Sequence, residues 1–274
     1  MSGWDSAQAA ERVARAYAAP DLAAVRERQI DLLAPRPSWR IADIGCGPGA
    51  FAAALSARGA KVTAIDSAPA MLAAVAARRL GCELVEADAL SLPLASASHD
   101  AACLVQVLEY VPDPVAAVRE AARIVRPGGA VLVADTDWDT QGFNVVDREL
   151  GRRIVQAWAD GKPDGWAGRR LRGWLTAAGL VPEERCVVVL DSTEWEGDTF
   201  IAHNWPHHRR ALERSGRVSP DDLARFEDEI EQSVARGAFY WSVVRHAWRG
   251  RVPPETTRGR PEPPTANATS EASA

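Results

Sequence analysis

No stretch of this chain of 274 residues is long and apolar enough to cross a membrane as a helix. Residues 1–20 scatter acidic and basic side chains among alanines, so they lack the basic end and the apolar core of a secretory signal peptide. We therefore expect a cytoplasmic protein that has no membrane partner.

Cysteine is scarce: only four occur, and no two of them form a Cys-x-x-Cys pair. This spacing argues against a zinc site or a disulfide framework, and three of the four lie in apolar runs, where cysteine acts as a small buried hydrophobe. Lysine is scarcer still, with only Lys61 and Lys162 in a chain rich in arginine. We interpret this bias as the codon composition of a GC-rich genome and not as the mark of a site.

The chain also lacks an excess of basic residues, with 32 Lys and Arg against 37 Asp and Glu and a formal net charge of −5. A general nucleic-acid binder usually shows a basic balance or a basic stripe, so we expect no nucleic-acid partner. Arg169, Arg170 and Arg172 lie close together, and we interpret this run as a solvated helix face. The length fits one large α/β domain with an added subdomain or lid.

Strand-like and helix-like segments alternate through the first half of the chain. Apolar residues at helical spacing between residues 5 and 34, interrupted by Pro20, predict two helices. Further strands are predicted at 41–44, 62–65, 82–85, 101–107 and 130–134, and further helices at 51–57, 69–80 and 114–125. Short apolar strands that alternate with helices indicate a parallel sheet that is covered on both faces.

The pattern changes after the fifth strand. Helices are predicted at 145–159 and 169–178, a strand at 181–190, a helical pair at 199–235 and a final strand at 239–248. Two helices between two strands would lie over one end of the sheet, so we predict a helical lid at about 198–236. The predicted domains are an N-terminal helical cap (1–37), a main domain that includes the lid (38–250) and a disordered tail (251–274) that is poor in apolar residues.

The most informative segment is the glycine-rich turn at residues 41–50, which reads IADIGCGPGA. Glycine permits positive φ and lets a ligand approach the backbone, and the helix that follows offers unpaired N–H groups at its first turn. Asp66 ends the next strand, about 20 residues further on, where it can accept hydrogen bonds from ribose hydroxyls. The turn therefore predicts a cofactor that contains a nucleoside.

Two cofactors fit this turn. Gly45, Gly47 and Ala50 satisfy the dinucleotide pattern G-x-G-x-x-G/A, which leaves a nicotinamide-dependent oxidoreductase open. S-adenosylmethionine is favoured because the Asp43 carboxylate can face an ammonium group, and because Pro48 removes an N–H that would serve a pyrophosphate. The chain also ends in a strand, an insertion and a strand, and not in a second mononucleotide-binding half.

The turn resembles the first motif of the class I S-adenosylmethionine-dependent methyltransferases. The likeness is greatest to the group that contains the ubiquinone and menaquinone methyltransferases and many natural-product methyltransferases. The resemblance continues in order through AIDSAPAML (64–72), VEADA (85–89), LEYVPDP (108–114) and RIVRPGG (123–129), and so covers roughly residues 41–134. It implies an open Rossmann-like α/β sheet of seven strands whose last strand is antiparallel, with S-adenosylmethionine as cofactor.

Carried over to this sequence, the resemblance assigns residues to each part of the cofactor. The methionine portion would be held by Asp43 and by the turn residues Gly45, Cys46, Gly47 and Gly49. The nucleoside would be held by Asp66 at the ribose hydroxyls, by Ser67 and Met71 beside the adenosine, and by Asp88 and Ala89 at the adenine. Gln106 would lie near the methionine carboxylate or the sulfonium.

One departure from the family concerns the segment Leu-His-His-Val of many relatives. This chain has Glu109 and Tyr110 there, so a role carried by those histidines does not transfer. Open α/β sheets bind ligands beyond the carboxyl ends of their strands, which places the acceptor near Glu109, residues 135–139, the N-terminal helices and the lid. Methyl transfer from a sulfonium needs alignment and the exclusion of water, and it needs a base only where the nucleophile must lose a proton. We hypothesise that Asp137 or Glu109 orients or deprotonates the acceptor.

Metal binding is not expected. The segment DTDWD (135–139) lacks the glycine and the glutamate of a calcium loop, although a magnesium site remains open there beside a polar loop of capping aspartates. Pro206 interrupts the helix that would align His203 with His207, and no Cys or Glu completes a ligand set with His208. We interpret these histidines as surface residues.

Eight of the ten tryptophans lie at or after Trp138. Several aromatic side chains around a lid suggest a flat apolar pocket for an aromatic or terpenoid-like acceptor. Trp138, Trp205 and Tyr240 are expected to bind it, and Tyr17 to close the pocket. The sequence thus predicts methylation of a small apolar metabolite, on oxygen slightly in preference to carbon or nitrogen, by a monomer or a homodimer. A non-catalytic member of the same fold stays open as an alternative.

Overall fold

The computed structural model describes residues 4–254 of the chain. Its strands are β1 (Arg40–Ile44), β2 (Lys61–Asp66), β3 (Glu83–Glu86), β4 (His99–Val105), β5 (Val125–Phe143), β6 (Val181–Ser192) and β7 (Trp241–Arg251). They form one sheet of seven strands in the order β3-β2-β1-β4-β5-β7-β6. Strands β1 to β5 pair in parallel, whereas β7 is antiparallel to both of its neighbours, β5 and β6. The predicted sheet of seven strands with an antiparallel last strand is confirmed.

Helices cover both faces of this sheet. They are α1 (Ala7–Ala18), α2 (Pro20–Leu33), α3 (Ala50–Ala57), α4 (Pro69–Ala77), α5 (Pro114–Ile124), α6 (Arg148–Ala159), α7 (Ala167–Ala177), α8 (Phe200–Ser215) and α9 (Pro220–Ala235). Helices α2, α3 and α4 contribute to the core on one face, and α5 and α7 to the core on the other. Among residues 4–254, none of the helices combines the length and the apolar character that a membrane span requires.

Strand β4 shows why the sequence forms a two-sided sheet. Ala101 and Cys103 point into the core under α2 to α4, and Ala102 and Leu104 into the core under α5 and α7. All four are fully buried, so an unbroken apolar run replaces the alternation that a half-exposed strand would show. Burial of a side chain such as Leu104 stabilises the fold by roughly 1.5–3 kcal/mol. Of the three cysteines expected to be buried, the structure buries two, Cys46 and Cys103, whereas Cys82 and Cys186 are partly exposed.

Strand β5 is much longer than predicted. The sequence predicts a strand at 130–134 followed by a polar loop at 135–139, but β5 continues through Asp135, Asp137 and Trp138 to Phe143. The loop prediction is wrong because the antiparallel β7 supplies backbone partners in this stretch, pairing Asp135 with His246 and Asp137 with Val244. The composition of residues 135–139 favours a turn, but pairing with β7 keeps this segment extended.

Two helices lie between β6 and β7, as predicted, but α8 passes through Pro206 without interruption. Its apolar side, which includes Phe200, Trp205 and Leu212, is buried in the aromatic core of the second half. Tertiary packing supplies most of the stability of a helix, and here it outweighs the N–H that proline removes. The expectation that Pro206 separates His203 from His207 is therefore wrong.

The tail prediction covers residues 251–274, of which residues 255–274 lie outside the described residues. The first part of this prediction is wrong. Val252 is fully buried, and its N–H donates to the Gly129 carbonyl, while the Gly128 N–H donates to the carbonyl of Val252. Packed structure therefore continues past the end of β7.

Candidate active site

The glycine turn between β1 and α3 has the backbone geometry that the sequence predicts. Gly45, Gly47 and Gly49 all have positive φ, at 68°, 52° and 80°. A Cβ on Gly45 would lie 2.4 Å from a methyl group of Val107, so this glycine is needed for packing. A Cβ on Gly47 would meet no atom of the described residues within 4 Å and would project into open space. The turn therefore presents bare backbone to a cavity.

Asp43 is a buried carboxylate at this turn. It is 1% exposed, and its Oδ2 atom has no hydrogen-bond partner within residues 4–254. Burial, with a smaller contribution from the charge of Asp66, raises the pKa of Asp43 to about 7. A buried carboxylate with an unmet acceptor beside a cavity is suited to a cationic ligand group, such as an ammonium.

Asp66 and Asp88 lie along the same edge of the sheet. The Asp66 carboxylate accepts hydrogen bonds from the backbone N–H groups of Gly47 at 2.8 Å and of Ala68 at 2.9 Å. Burial raises the pKa of Asp66, and these backbone donors oppose the rise. Asp88 accepts from the Leu90 N–H at 2.9 Å. Each carboxylate has further lone pairs that can accept from a ligand hydroxyl or amine.

One cavity of about 600 Å³ joins these groups. Apart from Gly49, every residue that the resemblance assigns to the cofactor lines it: Asp43, Gly45, Cys46, Gly47, Asp66, Ser67, Met71, Asp88, Ala89 and Gln106. Gly49 instead lies at the N-terminus of α3, where a Cβ would meet Val75 at 2.9 Å. These assignments remain predictions for the individual contacts, but the structure brings their residues to one place.

Gln106 is held in an unusual conformation at the end of β4. Its φ is +59°, which is rare for a residue that is not glycine. Its N–H donates to the Ala134 carbonyl at 2.7 Å, and its Oε1 atom accepts from the Thr136 hydroxyl at 2.6 Å. Strain of this kind persists where the surroundings fix it, and it clusters at functional sites.

The far side of the cavity is aromatic. Tyr17 from α1, Trp138 from β5, Trp158 from α6 and Phe200 from α8 all line it. The rings of Trp138 and Trp158 meet edge to face at a centroid distance of 5.7 Å, and Tyr17 meets Phe200 at 6.5 Å. Large rings from four separate elements therefore wall the space beyond the glycine turn, and Tyr17 and Trp138 are among them as the sequence predicts.

Glu109 is a carboxylate among these rings. It is 1% exposed, and its Oε2 atom accepts from the Trp138 indole N–H at 2.5 Å. Lys162 lies close by, with its ammonium nitrogen 4.6 Å from the ring centres of both Trp138 and Trp158 and 3.2 Å from the Tyr110 hydroxyl. Burial lowers the pKa of Lys162, and the negative charge of Glu109 opposes the fall.

Histidines also reach the cavity, contrary to the expectation that they lie on the surface. His208 is buried, with its ring centre 3.7 Å from that of Trp158, and His207 lines the cavity beside it. Burial, together with the positive charges of Arg12 and Lys162, lowers the pKa of His207 to about 4. Burial lowers the pKa of His208 as well, so both imidazoles are neutral at pH 7.

Three residues predicted for the chemistry or the acceptor do not reach the cavity. Asp137 is bound through both of its oxygens by Arg169, at 2.6 Å, so it is not available to an acceptor. Trp205 is buried among Phe143 and Phe226, with its N–H on Glu227. Tyr240 is 41% exposed just before β7. These three assignments are corrected, because strand alternation and core packing direct the side chains elsewhere.

Sequence reasoning misses Lys162, His207, His208 and Arg245, all of which line the cavity. Arg245 carries a signal in the sequence, since it occupies an inward position of a strand whose other inward residues are apolar. No local pattern marks Lys162 as buried. The burial of the histidines depends on an unbroken α8, which the presence of Pro206 argues against in the sequence alone.

The open sheet with its glycine turn, its unpartnered carboxylate and its strand-end aspartates defines the class I fold that binds S-adenosylmethionine. The residues present fit that cofactor, since the Oδ2 atom of Asp43 suits an ammonium and the open space at Gly47 admits a ligand against the backbone. A nicotinamide dinucleotide is not favoured, because the antiparallel β7 takes the place of a second mononucleotide-binding half.

Comparisons with known proteins agree with this class. A family model described as a methyltransferase domain matches residues 42–133. An uncharacterized 37.1 kDa protein in transposon TN4556 of Streptomyces fradiae is 35% identical over 159 residues, which are 55% of this chain and 46% of that protein. The ubiquinone biosynthesis O-methyltransferase of Xylella fastidiosa is 33% identical over 169 residues, which are 58% of this chain and 68% of that enzyme.

The fold also matches solved structures. One is the phosphoethanolamine N-methyltransferase 2 of Haemonchus contortus in complex with S-adenosyl-L-methionine. It has a TM-score of 0.56 and 15% sequence identity, and the match covers 92% of this chain and 59% of that chain. The chain spans about half of the length of the Streptomyces relative and about two thirds of that of the Xylella enzyme. The chain belongs to the class I S-adenosylmethionine-dependent methyltransferases, and S-adenosylmethionine is the cofactor of this class.

Proposed function

We propose that this chain transfers a methyl group from S-adenosylmethionine to a small aromatic or hydroxylated metabolite, on oxygen in preference to carbon or nitrogen. The observation that carries the proposal is the continuity of the cavity, which runs from the bare backbone of Gly47 to the rings of Trp138 and Trp158. A donor on the glycine turn and an acceptor against those rings would share one enclosed space. Alignment and exclusion of water are the main requirements of this reaction.

The donor would be held along the edge of the sheet. Asp43 would bind the ammonium, Asp66 the ribose hydroxyls, and Asp88 with Ala89 the adenine. Arg26 lines this cavity and also a smaller one beside Ala50 at the glycine turn, and its guanidinium donates to the Tyr17 carbonyl at 3.0 Å. We assign Arg26 to the methionine carboxylate.

Helix α8 of the proposed lid supplies Phe200, Asn204, His207 and His208 to the acceptor side of the cavity. Its N-terminus is fastened to α2, because the Phe200 N–H donates to the Asp21 carboxylate at 2.9 Å. Together, α8 and Tyr17 from α1 would enclose the acceptor and exclude water.

Glu109 is the residue that we assign to the chemistry. S-adenosylmethionine supplies a methyl group that is already activated by its sulfonium. A hydroxyl acceptor must lose its proton as the new O–C bond forms and the S–C bond breaks, and the Glu109 carboxylate would take that proton. The Trp138 N–H fixes one oxygen of this carboxylate, so the base is positioned before the acceptor arrives.

The test of this role is Glu109→Gln, assayed with labelled donor and an extract of the source cells so that the labelled product identifies the acceptor. We expect turnover to fall by about 10²-fold or more, the usual contribution of a general base, while the affinity for S-adenosylhomocysteine stays unchanged. Glu231→Gln on the exposed side of α9 is the control and should keep full turnover. Undiminished turnover in Glu109→Gln would remove the assignment.

Cofactor choice is tested separately by thermal shift. S-adenosylhomocysteine should stabilise the protein in a concentration-dependent way, and NADH should not. Binding of S-adenosylhomocysteine without methylation of any compound in the extract would favour a non-catalytic member of the fold.

A further inference from the structure

We infer that the acceptor is an acid, and that its oxyanion binds Arg245 on the acceptor side of the cavity. This inference rests on the proposed function, because it names a property of the substrate that the same cavity would take. It goes further in one respect: an apolar acceptor alone would leave a buried guanidinium with unmet donors.

The position of Arg245 is fixed by strand β7. Trp241, Val243, Arg245 and Ala247 point to the same side of this strand, and all four are buried. Arg245 is 3% exposed, so an arginine occupies a position where strand alternation calls for an apolar side chain. It lines the cavity, with its guanidinium carbon 4.9 Å from the ring centre of Phe200.

The hydrogen-bonding capacity of Arg245 is not met by the part of the chain that the structure describes. Its Nε and Nη2 atoms are buried there without a hydrogen-bond partner. The guanidinium interacts with the Tyr17 hydroxyl and with the charge of Asp135, but neither interaction occupies those two donors. A buried charge is costly unless it is paired and hydrogen-bonded, so a ligand group is needed to complete it.

Other groups on this side of the cavity are donors as well. The indole N–H of Trp158, which also lines the cavity, has no partner among residues 4–254. The Lys162 ammonium has three N–H groups, and it contacts the Tyr110 hydroxyl and the faces of three rings. Two carboxylates oppose the charges of Lys162 and Arg245: Glu109 lines this part of the cavity, and Asp135 is buried near both cations with its Oδ1 atom also unpartnered within the described residues. The unmet donors of Arg245 and Trp158, and not a net positive charge, favour an acceptor that carries an anion.

A guanidinium binds a planar carboxylate or a phosphate through two parallel hydrogen bonds, and it does so best where water is excluded. The methionine carboxylate of the donor is not the partner that this position favours. Arg26 also lines a smaller cavity with Ala50, next to the glycine turn, whereas Arg245 packs on Phe200 of the proposed lid. Carboxylate and phosphate share the chemistry that Arg245 recognises, and the experiment below separates them.

The experiment measures calorimetric binding of matched ligands to protein saturated with S-adenosylhomocysteine. The probes are 2-naphthoate, its uncharged isostere 2-naphthamide, and 2-naphthyl phosphate. We expect at least one of the two acids to bind about tenfold or more tightly than the amide, which is the size of a charge-assisted hydrogen bond. The acid that binds more tightly identifies the oxyanion as a carboxylate or a phosphate.

Arg245→Met should abolish this preference for the acid and leave the affinity for the amide and for S-adenosylhomocysteine unchanged. The control is Arg249→Met, four residues along the same strand, where the arginine pairs with Glu183 and Glu184 outside the cavity. It should keep the preference. Arg245→Met removes a buried polar side chain, so Arg245→Lys serves as a second variant. It keeps the charge but loses the two parallel N–H donors of the guanidinium, and it should weaken the preference for the acid.

Several results would overturn the inference. The first is equal binding of acid and amide, or no binding of either acid, in the wild type, and this result does not depend on any variant folding. The second is a preference that survives in Arg245→Met. The third is loss of S-adenosylhomocysteine affinity in Arg245→Met, which would move Arg245 to the donor. Failure of the wild type to bind S-adenosylhomocysteine at all would instead contradict the proposed function.

Discussion

A side chain at Gly47 would have two separate effects, one on the stability of the protein and one on the affinity for the donor. Its φ of +52° disfavours any side chain, and the space in front of it is open to the cavity. A methyl group there would cost about 1–2 kcal/mol in backbone strain and would also occupy space that the donor needs. Strain alone lowers stability, whereas occupied space lowers affinity.

Gly47→Ala should therefore reduce the affinity for S-adenosylhomocysteine about tenfold or more, measured by calorimetry. Gly81→Ala is the matched control, because Gly81 has a φ of +70° and its added methyl group would also meet no described atom within 4 Å apart from its chain neighbours, but Gly81 does not line the cavity. Both variants should lose similar stability, and the control should bind normally. Equal affinities in the two variants would show that the turn does not hold the donor.

Asp137 is a carboxylate for which the sequence suggests a chemical role and which the structure places in an ion pair. It joins β5 to α7, since both of its oxygens accept from Arg169 of α7. Asp137→Asn should lower the free energy of unfolding by about 1–2 kcal/mol, a modest value because Arg169 is partly exposed and solvent screens the pair. Turnover and donor affinity should stay at the wild-type level.

Urea unfolding and the methyl-transfer assay check this prediction together. Asp139→Asn is the control, because Asp139 is 3.6 Å from Arg169 and 38% exposed, and its loss should cost less stability. A folded Asp137→Asn protein that has lost turnover would restore the catalytic hypothesis.

Elements differ in how far their own sequence determines them. Strands β1 to β4 and helices α3 to α5 are predictable, because each is a short segment with the residue pattern of its element, and glycine, proline or a capping aspartate such as Asp113 bounds many of them. The cofactor side of the site follows from the same local signals. The extension of β5 is not predictable, since it depends on pairing with β7 about a hundred residues away. For the same reason, the partners of Asp137 and the burial of His208 do not follow from the sequence.

One hydrogen bond fastens the N-terminus of the proposed lid to a helix that is far away in sequence. Asp21 of α2 accepts from the N–H of Phe200, the first residue of α8. Asp21→Ala should leave this N–H without its acceptor, so amide hydrogen exchange should become faster in residues 200–204 than in the rest of α8. Asp31→Ala, at an exposed position near the end of α2, should leave that exchange unchanged. Unchanged exchange in Asp21→Ala would show that the contact does not hold the lid.

Burial of the Asp43 carboxyl in the binding site lowers the free energy of unfolding of the whole protein at high pH. The folded protein raises the pKa of Asp43 from 3.8 to about 7, so folding favours the protonated carboxyl. The stability linked to this group is fully present below pH 3.8 and is lost as the pH rises through 7. His207 acts in the opposite sense, because its folded pKa of about 4 makes the protein less stable as the pH falls below 6.5.

Asp43→Asn separates these contributions, because the variant keeps His207 and removes the ionisable group at the turn. At pH 8 the unliganded variant should be more stable than the wild type, by on the order of 4 kcal/mol at most, since it no longer buries a charged carboxylate. Near pH 4 the two should differ in stability by less than about 1 kcal/mol, because the wild-type carboxyl is then protonated in the folded protein and partly protonated in the unfolded chain. With S-adenosylhomocysteine the difference at pH 8 should shrink or reverse. The wild-type carboxylate then pairs with the ammonium of the ligand, and the neutral Asn amide of the variant cannot form that ion pair. Thermal unfolding at both pH values, with and without S-adenosylhomocysteine, measures all of these differences. Equal stabilisation of the wild type and the variant by the ligand would contradict the assignment of Asp43 to the ammonium.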